Sequence, residues 1–139
     1  MSESVHTEIF LVCHSPMASA LHAVACHGFS QKLSDLQVLD VLESQKKEQV
    51  AERLQHLWEA SGRPANVLIL TDLLGATPAN GVSAWMAHSP CESAGVAGVS
   101  LPMLLRALTH RDEPPTALAQ RILKGQADCA SFFSEGHVS

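Results

Sequence analysis

Four apolar runs, each too short to make a stable helix, alternate along this chain with longer stretches of helical periodicity. The runs are Ile9–Cys13, Leu36–Val41, Asn66–Thr71 and Ala94–Ser100. Short apolar runs of this kind read as strands covered on both faces. Met17–Cys26 is small and apolar with good helix formers, and Gly28 offers a stop. Ser44 precedes an amphipathic stretch in which Val50, Leu54, Leu57 and Trp58 recur at helical spacing until Ser61-Gly62. Further helices are predicted over Pro78–Ala87, from Pro102 to near His110, and from Pro115 to about Phe133. Strands and helices in strict alternation, joined by short connections, predict an α/β fold. Its expected form is a three-layer α-β-α sandwich around a mostly parallel sheet, with residues 1–139 as a single domain.

Composition narrows the function classes. The chain is 46% hydrophobic over 139 residues, enough for a proper core. Its net charge is −5, and Lys46-Lys47 is its one adjacent basic pair, so a nucleic-acid surface is not expected. No run approaches the roughly 18 to 20 apolar residues of a membrane span, so no direct membrane insertion is expected. The opening "MSESVHTE" is polar and acidic, unlike a secretory leader, which points to a cytoplasmic location. Cys13, Cys26, Cys91 and Cys129 show no CxxC spacing and read as buried free thiols in a reducing compartment. Cys26-His27 near His22 fits no standard ligand spacing, so neither a metal nor a cofactor is expected. Neither GxGxxG nor a Walker-type loop is present, and the closing "SEGHVS" reads as a loose tail.

In such sheets chemistry gathers at the C-terminal ends of the strands. His14 follows the first strand, Asp72 the third, and Ser100 ends the fourth. His14 stands before a helix whose first-turn amides and dipole favour an anion and disfavour extra positive charge on the ring. A neutral imidazole there suits a phosphoryl acceptor. A carboxylate such as Asp72, holding one ring nitrogen, would fix the tautomer and free the other to attack. Gly75-Ala76-Thr77-Pro78 leads into another helix, whose amides and Thr77 hydroxyl suit phosphate oxygens. Simpler roles stand beside these: a satisfied structural histidine at 14, a cap or turn former at Asp72, a plain helix start at Gly75–Pro78, an N-cap at Ser100.

Three segments together, "FLVCHSPMASAL", "VLILTDLLGATPAN" and "GVAGVSLPMLLRAL", resemble the enzyme IIA domain of the mannose family of the bacterial sugar phosphotransferase system. The resemblance covers nearly the whole chain, and a fused IIB domain is not expected. It implies strand order 2-1-3-4 and a homodimer that exchanges an edge strand. It implies a phosphocarrier in which His14 accepts a phosphoryl group from the phosphorylated histidine carrier protein and passes it to a IIB component or a regulatory target. Asp72 would hold the ring through Nδ1 and leave Nε2 to react. Ser15, Gly75, Ala76 and Thr77 would surround the phosphate, and Ser100 would stand on the rim. Two positions depart from the family pattern. Cys13-His14-Ser15 replaces the usual Thr-His-Gly or Ser-His-Gly, and Ser100 stands where Asn is common. Ser15 adds a side chain that either donates to the phosphate or obstructs a partner.

Other functions remain open on the sequence. One is a regulatory module whose docking depends on phosphorylation rather than on sugar transport. Another is the phosphotransferase subunit of a dihydroxyacetone kinase, which shares the architecture. A third is a binding domain without chemistry.

Overall fold

A computed structural model describes residues 4–138. The polar start at Met1–Glu3 and the final Ser139 of the tail lie outside the described residues. The order is β1 (Glu8–His14), α1 (Met17–Phe29), β2 (Gln37–Val41), α2 (Lys47–Ala60), β3 (Asn66–Thr71), α3 (Thr77–Met86), β4 (Glu92–Ala97), α4 (Leu101–Leu108) and α5 (Pro115–Lys124). A short 3-10 turn (Gln126–Cys129) comes next, then a hairpin of β5 (Phe133–Ser134) and β6 (His137–Val138).

The strands β2-β1-β3-β4 form one sheet in that order, and every pairing in it is parallel. Alternation along the strands divides the core in two. Ile9, Leu11, Cys13, Leu68 and Leu70 face α1, α4 and α5. Phe10, Val12, Val67 and Ile69 face α2 and α3. This is why β1 and β3 are apolar throughout: each presents both faces to helices. On the second face α2 and α3 approach closely at Gly81, where a Cβ would lie 2.4 Å from Val50 Cγ1. Among the described residues no helix is long and apolar enough to cross a membrane.

Element ends differ from the sequence reading for local reasons. α1 runs through Gly28 to Phe29 and stops at Ser30, which takes the left-handed conformation with φ 54°. α2 is capped at Lys46 rather than Ser44, and the Gln49 side chain accepts from the Lys46 N–H at 2.8 Å. β4 starts at Glu92 and ends at Ala97, because Gly98 (φ +91°) turns the chain and its N–H, with that of Val99, goes to the Thr71 carbonyl. Helix α5 ends at Lys124 rather than near Phe133. Gly125 comes directly after it, so close to Arg106 that a Cβ there would sit 1.3 Å from Nη1. The tail, expected to be loose, contains the β5–β6 hairpin. The four cysteines are unpaired as expected, but only Cys13 is buried; the others are half-buried.

Candidate functional site

Strand order brings the exits of β2, β1 and β3 side by side. His14 is the last residue of β1 and pairs with Val41, the last of β2. Asp72 comes immediately after β3. Asp72 Oδ2 accepts from the His14 backbone N–H at 3.1 Å and lies 2.8 Å from His14 Nδ1. A carboxylate only accepts, so in the neutral ring Nδ1 carries the hydrogen and Nε2 the lone pair. One oxygen thus fixes both the backbone and the ring of the same residue. Asp72 is only 13% exposed against 47% for His14, so the anchor is sheltered while the ring faces solvent. The other oxygen, Oδ1, is buried and has no hydrogen-bond partner among the described residues.

His14 opens onto a cleft of about 370 Å³ lined with Ser15, Val41, Leu42, Glu43 and Thr77. Thr77, the first residue of α3, lines the cleft, so the start of that helix borders it, although Pro78 in the first turn has no N–H to offer. Ser15 is exposed, its N–H donates to the Val41 carbonyl at 2.9 Å, and the Ser15–Pro16 peptide is cis. Gly75 and Ala76 do not line the cleft. They build the turn that aims α3: Gly75 has φ +85°, its carbonyl accepts from Asn80 Nδ2 at 3.2 Å, and the Ala76 N–H reaches the Leu73 carbonyl at 3.3 Å. Ser100 also lies outside it. Its hydroxyl caps α4 by accepting from the Met103 N–H at 3.3 Å, the simpler of its two expected roles.

The start of α1 differs from the sequence expectation. Its first turn does not offer a full set of amides to an anion. Residue 16 is a proline without an N–H, and the Ser19 N–H donates to Asp40 Oδ1 at 3.1 Å. Asp40, Leu42 and Glu43 do not stand out in the sequence. Their one available signal is the acidic "LDVLE" at the exit of the strand beside β1. Beneath His14, the Cys13 thiol is pushed up to about 12, first by burial and then by the charges of Asp72 and Asp40. It is therefore an inert thiol, not a second nucleophile. Among the described residues, no group of three or more His, Cys, Asp or Glu side chains converges as a metal site.

Comparison with known proteins agrees with this architecture. The model of the EIIA-man family, described as the PTS system fructose IIA component, matches residues 8–121. The mannose/sorbose-specific IIA subunit from Enterococcus faecalis superposes with a TM-score of 0.81 at 22% identity, covering 93% of this chain and 96% of that one. The phosphotransferase component EIIA from Streptococcus agalactiae gives 0.78 at 20% identity over 89% and 95%. The PTS IIA protein associated with the fucose utilization operon of Streptococcus pneumoniae gives 0.75 at 17% identity over 93% and 94%. No curated protein matches the sequence significantly.

Proposed function

The chain belongs to the EIIA-man family of phosphotransferase-system IIA components, and from that premise we propose that it is a phosphocarrier whose acceptor is His14 Nε2. The observation that carries the reading is the double grip of Asp72 Oδ2 on the backbone N–H and Nδ1 of His14, which leaves Nε2 out of the grip on a residue that lines a cleft with Thr77. The donor is the phosphorylated histidine carrier protein. Its P–N bond breaks, the electron pair returns to the donor ring, and the Nε2 lone pair forms the new P–N bond. The Nδ1 hydrogen stays on the ring, directed at Asp72, which offsets the positive charge the ring acquires. Thr77 donates to the phosphoryl oxygens, and Ser15 lies beside them at the mouth. Gly75 and Ala76 act through the turn that sets α3. The group then passes to a IIB component.

The same reading includes a homodimer. β4 is an outer strand of the sheet, and the C-terminal hairpin carries Phe133 at 72% exposure, apolar surface suited to a second copy.

The test is incubation with phosphoenolpyruvate, enzyme I and histidine carrier protein, read by intact mass. One acid-labile phosphoryl group is expected on the wild type and none on His14→Ala. No gain with an active donor pair, or full gain on His14→Ala, would overturn the assignment.

A further inference from the structure

Asp40 stands where an anion would otherwise find helix amides. It pairs with Cys13 in the β1–β2 ladder, one step before His14 pairs with Val41. Its Oδ1 accepts from the Ser19 N–H at 3.1 Å, and its Oδ2 accepts from the Ser19 hydroxyl. Its carbonyl accepts from Arg53 Nη1 at 2.8 Å, and that nitrogen also reaches Gln45 Oε1 at 2.8 Å. Arg53 thus braces the backbone of residue 40, while the carboxylate is spent on α1. Its charge is felt in β1, because Asp40 and Asp72 both push up the Cys13 thiol. Glu43, from the same strand exit, lines the His14 cleft.

A helix N-terminus ordinarily stabilises an anion. Here that capacity is opposed by a resident carboxylate. A phosphoryl group adds roughly −1.5 to −2 charge. Placed on His14, it would lie against Asp72 and one register step from Asp40, whose carboxylate is held on Ser19. The phosphorylated form is then held less tightly than a bare α1 end would hold it, and the group is easier to hand on.

We propose that Asp40 is a positioning residue which sets the start of α1 and, by its charge, keeps the phosphoryl group on His14 weakly held. The proposal rests on the reading of His14 as phosphoryl acceptor. Asp40 takes no part in bond making. It touches neither ring nor phosphorus, and the electron and proton accounting of the transfer is unchanged by it.

Asp40→Asn keeps a carbonyl oxygen for the Ser19 N–H and removes the charge. The full-length variant is equilibrated with phosphorylated histidine carrier protein, and the distribution of phosphoryl groups is read by intact mass. The equilibrium constant for loading is expected to rise about three- to tenfold at low salt. The gain should shrink toward 1 M salt, where the Debye length falls to about 3 Å. A merely structural cap would lower the thermal midpoint and leave this equilibrium constant unmoved and insensitive to salt. An unchanged or lowered constant in the folded variant would overturn the proposal. Ser19→Ala keeps the charge and loosens the contact, and it serves if Asp40→Asn fails to fold. Loading at or below wild type is expected for it, and a rise would count against Asp40. A wild type that accepts nothing from an active donor would instead overturn the acceptor reading underneath.

Discussion

Asp72→Asn exchanges one atom of the carboxylate and removes its charge, and the two oxygens feel the change differently. Oδ2 accepts from two donors of His14, at 3.1 and 2.8 Å, while Oδ1 is buried without a partner among the described residues. An asparagine can place its amide oxygen at the Oδ2 position and keep both contacts. Its NH2 then occupies the Oδ1 position, buried with nothing to donate to, at a cost of about 1–3 kcal/mol. The flipped amide avoids that cost but points hydrogens at the His14 N–H. It also forces the ring hydrogen onto Nε2, the atom proposed to attack. Either way the carboxylate no longer faces the charge that grows on the ring. A charge-assisted hydrogen bond contributes about 1.5–3 kcal/mol, so the transfer rate should fall about 10- to 150-fold. Single-turnover rapid quench with phosphorylated carrier protein measures that rate directly. Because the nucleophile remains, the final stoichiometry should still approach one phosphoryl group per chain. A folded Asp72→Asn protein reacting within about twofold of wild type would refute the orienting role.

Two further outcomes bear on the scaffold. Gly81→Ala places a Cβ 2.4 Å from Val50 Cγ1 and 3.2 Å from the Lys47 carbonyl, so α3 and α2 must separate; a loss of about 1–3 kcal/mol is expected in urea unfolding, with partial rescue by Val50→Ala. The Cys13 thiol, pushed up from 9.0 to about 12, should resist iodoacetamide in the native protein and react on unfolding, as peptide mass mapping would report. The same shift has a signed effect on stability. The folded pKa is raised, so this contribution is complete below about pH 9.0 and is lost as pH rises toward 12. Cys13→Ala should therefore flatten the alkaline limb of the urea midpoint against pH.

The layered fold was legible because β1 and β3 carry apolar residues on both faces, and only central strands of a parallel sheet need that. The edge strand β4 was harder to bound. Its first residue, Glu92, is exposed, so polarity hid the start, and the apolar reading slid forward into the turn at Gly98. Gly28 misled for a related reason: a glycine on an exposed helix face weakens the helix without ending it, and the left-handed residue that ends it is Ser30. The end of α5 depends on how closely Gly125 and Arg106 meet, and no periodicity encodes that.

At the site, strand order decides what sequence can and cannot see. His14 and Asp72 stand out one by one, because each is a polar residue ending an apolar run. That they meet depends on β1 and β3 being neighbours. Ser100 ends the same kind of run, yet β3 stands between β4 and β1. Two strand spacings of about 4.8 Å separate the exits of β1 and β4, and Ser100 turns instead to the amide of its own helix. β2 is the opposite case. Its residues lie against His14, but Asp40 sits inside an otherwise ordinary strand, and its partner Ser19 is in a helix 21 residues earlier. A carboxylate contributed by the neighbouring strand leaves no mark beside His14 in the sequence. It appears only when the parallel register sets Asp40 against Cys13. His14 is thus gripped by one carboxylate, while a second, one register step away, caps the helix that follows it.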